Sequence, residues 1–113
     1  MELTFVYLPG FVREWDRHRL TDPDLQSLEQ TIAKGPAAGP VMRGTGGLRK
    51  IRFAPPSMHQ GKSGATRVGF AYFRSNSAII VVAMFAKNEA ANFTAAQRVE
   101  IGKLLNGIER SFK

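Results

Sequence analysis

Cysteine is absent from this chain of 113 residues, and only two histidines, His18 and His59, occur in it. Without cysteine no disulfide framework can form, and a structural zinc site is not expected. The two histidines lie far apart and do not form the paired pattern of a helical zinc site. We therefore expect neither a metal nor any other cofactor.

Long hydrophobic runs are also absent. The longest apolar run begins at Ala78 and ends at Ala86, well short of the about 20 residues that span a membrane. The N-terminus, MELTFVYLPGF, lacks the basic start and the apolar stretch of a signal peptide. Hydrophobic residues make up 43% of the chain, which suffices for a packed core. We therefore expect one cytoplasmic domain that spans residues 1–113.

Acidic residues are missing from the middle of the chain. None of the nine Asp and Glu residues lies between Gln30 and Asn88, whereas nine of the sixteen Lys and Arg residues do. This segment therefore carries +9, against a formal net charge of +7 for the whole chain. A basic stretch on a near-neutral remainder is the electrostatic footprint of a protein that binds a polyanion. The alternative is a basic, solvated surface without a ligand.

Hydrophobic periodicity and turn residues predict an α+β domain with the order β-α-α-β-β-β-α. The strand candidates are residues 3–8, 48–54, 66–73 and 78–85, and the helix candidates are residues 11–20, a helix capped by Thr21 or Asp22, and a final helix that starts at Thr94. Gln97 follows Thr94 at the spacing of a capping box. The polar turn at 74–77 favours an antiparallel hairpin. We expect an antiparallel sheet with the helices packed on one side.

Side-chain alternation along the strand at 48–54 separates core residues from basic ones. Successive side chains of a strand point to opposite faces of the sheet. Ile51 and Phe53 are the large apolar residues of this strand, so we expect them to face the core. Lys50 and Arg52 then point together to the opposite face.

The strand at 66–73 adds a third basic residue to that face. Arg67 alternates there with Gly69 and Ala71, whose small side chains leave the surface low. If the two strands pair, we expect a shallow concavity floored by the two small residues and rimmed by Arg67 and the two basic residues of the preceding strand. The alternative is that these are ordinary solvent-facing side chains.

Three glycines precede the basic strand, in the stretch RGTGGLRKIRF at residues 43–53. We expect Gly44, Gly46 and Gly47 to shape a turn that side chains would disturb or that needs positive φ. The alternative is that they let a nucleic-acid backbone approach. No strand-turn-helix context surrounds them, so a dinucleotide fingerprint is rejected. The later GKS is rejected as a phosphate loop, because Pro56 stands where that pattern requires glycine.

Three blocks in this order, GTGGLRKIR, GKSGATRV and FAKNEAANFTAAQ, resemble the HigB-type toxins of the RelE/ParE toxin–antitoxin superfamily. The resemblance covers about residues 41–105. It implies a small, RelE-like, basic endoribonuclease that enters the ribosomal A site and cleaves translated mRNA, which inhibits translation. It also implies a helix-turn-helix antitoxin of HigA type as the neutralising partner.

The resemblance also assigns active-site positions. The two alternate basic residues of the middle strand match Lys50 and Arg52, the arginine that opens the next strand matches Arg67, and the basic residue at the end of the last strand matches Lys87. Some relatives have a further arginine where this chain has Asn88, and a tyrosine where it has Phe93 or Thr94. The resemblance therefore does not assign the general acid and the general base.

RNA cleavage can use the 2′-hydroxyl of the substrate as its nucleophile, which needs no metal. Proton transfer and stabilisation of the phosphorane are then left to the protein. Arginine stays charged and binds phosphate oxygens through two N–H groups, so we expect Arg67, supported by Arg52, to stabilise the phosphorane. Neighbouring cations favour the neutral form of an amine, which makes Lys50 and Lys87 the acid–base candidates. Glu89 is an alternative base, unless a salt bridge holds it.

The remaining basic residues of the acid-free segment are candidates for further RNA contacts. They are Arg43, Arg49, Lys62 and Arg74. His59 lies in a polar loop, where it is either solvated, an RNA contact or a proton shuttle.

Two other functions fit the same charge distribution. One is a ParE-type toxin that inhibits DNA gyrase without cutting nucleic acid. The other is a basic RNA-binding or ribosome-binding module without catalysis, which would not need Arg67. The glycine and lysine blocks favour the ribonuclease.

Overall fold

The computed structural model describes residues 2–58, 66–86 and 93–112. Along these residues the strands are β1 (Thr4–Tyr7), β2 (Arg49–Phe53), β3 (Thr66–Phe73) and β4 (Ala78–Phe85), and the helices are α1 (Pro9–Arg17), α2 (Asp22–Lys34) and α3 (Ala95–Ser111). Short 3-10 turns at Pro56–Met58 and Arg74–Asn76 follow β2 and β3. The predicted α+β order β-α-α-β-β-β-α is confirmed. None of the described helices is long and apolar enough to cross a membrane.

Local capping determines where two of the helices begin. Thr21 caps α2 and Thr94 caps α3, and each threonine hydroxyl accepts a hydrogen bond from the backbone N–H three residues on. In return the side chain of Asp24 or Gln97 accepts a hydrogen bond from the backbone N–H of the threonine. Both arrangements are capping boxes. The box predicted at Thr94 is confirmed, and of the two candidates for α2 the cap is Thr21.

The described strands form one sheet in the order β1-β4-β3-β2. β3 pairs antiparallel with both β2 and β4, which confirms the predicted hairpin. β1 pairs parallel with β4, so the prediction of an antiparallel sheet is wrong for this strand. Parallel neighbours need a long crossover connection. The two helices and the β2–β3 pair, which lie between β1 and β4 in the chain, supply it.

Hydrophobic residues pack on both faces of the sheet. On one face, Trp15 of α1 and Ile32 of α2 pack in one core with Phe70 of β3. On the other face, Leu105 of α3 packs in a second core with Phe73 of β3. The prediction that all helices lie on one side is therefore wrong. The physical reason is that β4, AIIVVAMF, is apolar on both faces and needs cover on each.

The segment at residues 43–47, called the glycine turn below, leads directly into β2. Positive φ angles occur at Gly44 (77°), Gly46 (72°) and Gly47 (120°). This confirms the predicted turn, because side chains disfavour these angles. Thr45 between the glycines is fully buried, and its hydroxyl donates to the carbonyl of Met42 at 2.6 Å. The same hydroxyl accepts from the N–H of Leu48 at 3.0 Å, so one side chain closes the turn.

Candidate nucleic-acid interface

The register of β2 against β3 places three of the predicted site residues on one face. Arg52 is the direct partner of Arg67, and Lys50 is the direct partner of Gly69. Direct partners in an antiparallel pair point to the same face, with Cβ atoms about 5 Å apart. Lys50 lies two positions from Arg52 along β2 and therefore shares its face. We refer to Lys50, Arg52 and Arg67 as the basic cluster.

The basic cluster concentrates positive charge at the surface. Arg52 is exposed, and Lys50 and Arg67 are half-buried. Within the described part of the chain, Lys50 and Arg52 make no side-chain hydrogen bond or ion pair. Like charges directly opposite each other destabilise a sheet. The direct pairing of Arg52 with Arg67 therefore favours the binding of an anion at this place on the sheet.

The surface beside the basic cluster is filled rather than concave. Ala71 is buried at 2% exposure. A Cβ atom on Gly69 would lie 3.3 Å from Leu48 Cδ1 and 3.3 Å from Phe85 Cε1. The predicted concavity floored by small residues is wrong, because these two larger side chains close over Gly69. The basic cluster thus lies at the border of the second core, on a flatter surface.

Arg49 does not join the basic cluster. As the partner of Phe70 it points to the other face of the sheet. Its Nη1 donates to the carbonyl of Ala37 at 2.9 Å and to the carbonyl of Gly39 at 2.7 Å. Arg49 therefore ties the connector after α2 to β2.

Two further arginines predicted to contact RNA lie outside the basic cluster. Arg74 follows the far end of β3, and its guanidinium lies 5.7 Å from the centre of the Tyr72 ring, a cation–π distance. The seven positions between Arg67 and Arg74 correspond to about 23 Å along an extended strand. Arg43 is exposed in the glycine turn, on the side of α3.

The other predicted site residues lie outside the described residues. They are Lys62, Lys87, Glu89 and the candidate His59. Their proposed roles remain predictions.

Arg98 of α3 is a basic residue that the sequence reasoning did not identify. Its Nη1 donates to the carbonyl of Arg43 at 2.5 Å, and its Nε donates to the carbonyl of Phe93 at 3.3 Å. Arg98 thereby joins the glycine turn to the start of α3. No local pattern marks it, because Arg43 lies 55 residues earlier in the chain.

Asp24 at the start of α2 is fully buried and anchors the residues that follow β2. Its carboxylate accepts from the N–H of Ser57 at 3.0 Å, from the Ser57 hydroxyl at 2.6 Å, and from the N–H of Thr21 at 2.9 Å. Burial alone would raise the pKa of this carboxyl, but the hydrogen bonds from Ser57 and Thr21 outweigh it and hold the pKa at about 2. Asp24 is therefore ionised at neutral pH.

A surface ion-pair group lies near the end of α1, where one carboxylate faces two basic side chains. Glu14 Oε2 lies 3.2 Å from Arg17 Nη2 and 3.7 Å from His18 Nε2. Exposed pairs of this kind contribute little to stability. Among residues 2–58, 66–86 and 93–112, no group of three or more His, Asp or Glu residues could hold a metal ion.

Comparison with known proteins identifies a solved structure with a similar fold. No family model matches the chain. Among solved structures, it is similar to a double arginine-to-alanine mutant of the E. coli toxin RelE in the free state. The TM-score is 0.56 at 15% sequence identity, over 88% of this chain and 97% of the RelE chain. The chain therefore has the fold of RelE over nearly its full length.

Proposed function

We propose that this chain is the toxin of a type II toxin–antitoxin system, and that it cleaves translated mRNA in the ribosomal A site without a metal. The observation that carries the proposal is the pairing of Arg52 with Arg67, with Lys50 on the same face. The RelE-like fold supports the proposal, because the two arginines lie on strands β2 and β3 of a chain that has this fold. Sequence blocks that resemble HigB-type toxins favour this subtype.

The basic cluster suits a phosphodiester that is attacked by its own 2′-hydroxyl. The 2′-oxygen forms a bond to phosphorus, the bond to the 5′-oxygen breaks, and a 2′,3′-cyclic phosphate and a 5′-hydroxyl result. Negative charge grows on the phosphorane oxygens in this step. Arg67 binds these oxygens and Arg52 supports it, because two guanidinium groups match a phosphate with several N–H donors.

Proton transfer requires a base for the 2′-hydroxyl and an acid for the leaving 5′-oxygen. Lys50 lies on the face of the two arginines and is a candidate for one of these roles. Lys87 and Glu89 are the other candidates, carried over from the sequence. Acid–base groups of this kind give slow catalysis unless the 2′-oxygen is held in line with the leaving 5′-oxygen. The ribosome would hold the mRNA in that geometry.

The partners of this activity are mRNA on the ribosome, in the 16S rRNA environment of the A site, and an antitoxin. We propose a helix-turn-helix antitoxin of HigA type, on the basis of the resemblance to HigB toxins. A neighbouring short gene that encodes such a protein would support this assignment. Co-purification of the two proteins as a complex that no longer cleaves mRNA would test it.

The cleavage proposal is tested in a translation extract with a defined mRNA, by mapping the 5′ ends of the products. The wild-type chain is expected to cut mRNA on translating ribosomes. Arg67→Ala is expected to lower the cleavage rate by about 100-fold or more, the usual loss of one transition-state donor. Circular dichroism checks that the variant is folded. Arg110→Ala, a charge-matched change at the far end of α3, is expected to retain activity.

Other outcomes of that assay favour the rival functions. If the mRNA on translating ribosomes stays intact, the proposal that this chain is a ribonuclease is wrong. Intact mRNA together with inhibited DNA supercoiling by gyrase indicates a ParE-type toxin. Translation inhibited equally by wild type and Arg67→Ala, with mRNA intact, indicates a non-catalytic ribosome-binding module.

A further inference from the structure

A groove lies between the glycine turn and the start of α3. It has a volume of about 370 Å³ and is lined by Arg43, Gly44, Ala95, Arg98 and Val99. Two of these residues are arginines, and none of the described lining residues is acidic. The other lining residues are small and apolar, so the surface of the groove is mostly apolar and its charge comes from the two arginines.

Arg98 is held in a fixed orientation at this groove. Its hydrogen bonds to the carbonyls of Arg43 and Phe93 use two of the five N–H donors of the guanidinium. The other donors make no hydrogen bond within the described part of the chain. A guanidinium that is already oriented loses little conformational freedom when it binds an anion.

Arg43 contributes the second charge from the opposite wall. Its backbone carbonyl holds Arg98, whereas its side chain is exposed and makes no hydrogen bond or ion pair within the described residues. Gly44, next to it, has no side chain to fill the space. A Cβ atom there would lie 3.7 Å from Cβ and Cδ of Arg98.

A series of neighbouring residues links the groove to the basic cluster. Arg67 is the register partner of Phe85 on β4. The ring of Phe85 packs edge-on against Phe93, with 5.8 Å between the ring centres. The carbonyl of Phe93 in turn accepts the hydrogen bond from Arg98. The basic cluster and the groove thus lie on the same side of the sheet, at the same end of α3.

We infer that this groove is a second phosphate site, in which Arg43 and Arg98 bind a backbone phosphate of the RNA strand beside the one cleaved at the basic cluster. The inference rests on the proposed ribonuclease function. Arginine binds phosphate oxygens through paired N–H groups. Such a contact positions the strand without reading its bases.

The site is tested with a single-stranded RNA oligonucleotide that carries 2′-O-methyl groups and therefore cannot be cleaved. Its dissociation constant is measured over a range of ionic strengths for wild type, Arg43→Ala and Arg110→Ala. Arg43→Ala is expected to weaken binding about tenfold. It should also reduce the slope of log K against log salt by about 0.7, which is the contribution of one phosphate contact on a single strand. Arg110→Ala removes the same charge from an exposed position and is expected to change neither value appreciably.

Arg98→Lys tests the second arginine. The ammonium retains the charge but cannot bind two carbonyls and a phosphate in one plane. We expect weaker RNA binding than in the wild type, with thermal unfolding measured alongside to show that the glycine turn still packs on α3. If Arg98→Lys binds the RNA oligonucleotide with wild-type affinity, Arg98 is not part of the phosphate site.

The two proposals fail in different ways. If wild type cleaves mRNA on ribosomes but Arg43→Ala binds the oligonucleotide as tightly as Arg110→Ala, the second phosphate site is wrong and the ribonuclease stands. If wild type leaves mRNA intact while Arg43→Ala still lowers affinity and salt slope, the groove binds RNA and the ribonuclease proposal is wrong. If the wild type shows no measurable binding of the oligonucleotide at low ionic strength, the proposal of a phosphate site in the groove is wrong.

Discussion

Gly46 of the glycine turn and Gly102 of α3 meet backbone to backbone. A Cβ atom on Gly46 would lie 3.0 Å from the Cα of Gly102, closer than side chains normally approach. Thr45, next to Gly46, is buried against the same helix position. The glycine at 46 thus meets two requirements, a left-handed backbone and close contact with α3.

Alanine substitutions at two glycines of the turn separate these requirements. Gly44 and Gly46 have similar φ angles of 77° and 72°, but a Cβ on Gly44 makes only ordinary contacts with Arg98. We expect Gly44→Ala to lower the free energy of unfolding by about 1 kcal/mol through backbone strain. Gly46→Ala should lower it further, because α3 must also move. Urea denaturation measures both, and equal losses would show that the contact with Gly102 contributes nothing.

Gly107 supplies the control for these substitutions. It lies on α3, and apart from the neighbouring residues and backbone of its own helix a Cβ atom there would meet no described atom within 4 Å. Gly107→Ala is therefore expected to raise the free energy of unfolding by about 0.5–1 kcal/mol through helix propensity.

Arg52→Ala is expected to separate activity from stability. Arg52 is exposed, and its charge stands opposite that of Arg67. Removing it should slow mRNA cleavage by about 100-fold through lost phosphorane stabilisation. The free energy of unfolding should change by no more than about 0.5 kcal/mol, because Arg52 is exposed and its side chain makes no hydrogen bond or ion pair within the described residues. Denaturation and cleavage are measured on the same preparation. A large loss of stability would mean that Arg52 has a structural role instead.

Features set by nearby residues could be predicted from the sequence. The capping box of Thr94 and Gln97 depends on residues three positions apart, and both of its hydrogen bonds form. The bounds of β3 follow from alternating large apolar residues, those of β4 follow from a continuous apolar run, and a polar turn separates the two strands. The shared face of Lys50 and Arg52 is predictable for the same reason, because alternation along a strand is local.

Features set by distant residues could not be predicted. The parallel pairing of β1 with β4 joins strands that lie more than 70 residues apart, and no local pattern encodes it. Leu48 and Phe85 close over Gly69 only after three strands have assembled. The bond from Arg98 to the Arg43 carbonyl likewise depends on how α3 lies against the glycine turn. The features that the sequence did not predict are therefore those that depend on packing between residues far apart in the chain.

Asp24 is expected to make stability depend on pH in the acidic range. Its pKa in the folded chain is about 2, below the ordinary value of 3.8, so ionised Asp24 stabilises the fold above about pH 4. That contribution is lost as the pH falls from about 4 through about 2. Asp24→Asn should lower the free energy of unfolding at neutral pH by about 2 kcal/mol, because an amide cannot accept all the hydrogen bonds from Thr21 and Ser57.

Denaturation curves of wild type and Asp24→Asn between neutral pH and about pH 2 test whether the stabilisation by ionised Asp24 is lost as the pH falls. The difference between the two proteins should shrink as the pH falls. Asp22→Asn, an exposed neighbour on the same first turn, is the control and should show a much smaller difference. A difference for Asp24→Asn that is constant with pH would contradict the assignment.

Tyr7 is expected to retain its proton in the folded chain at alkaline pH. Burial raises the pKa of Tyr7 well above its ordinary value of 10, and its hydrogen bond to the side chain of Glu29 raises it further. Stability from this contact is present below about pH 10 and is lost as the pH rises above that value, where the unfolded chain ionises first. In a spectrophotometric titration, folded wild type and Tyr7→Phe should therefore release the same number of tyrosine protons until the wild type unfolds. The same titration in concentrated urea is the control, because one additional proton should then leave the wild type near pH 10. A difference between the two folded proteins near pH 10 would show that Tyr7 ionises normally.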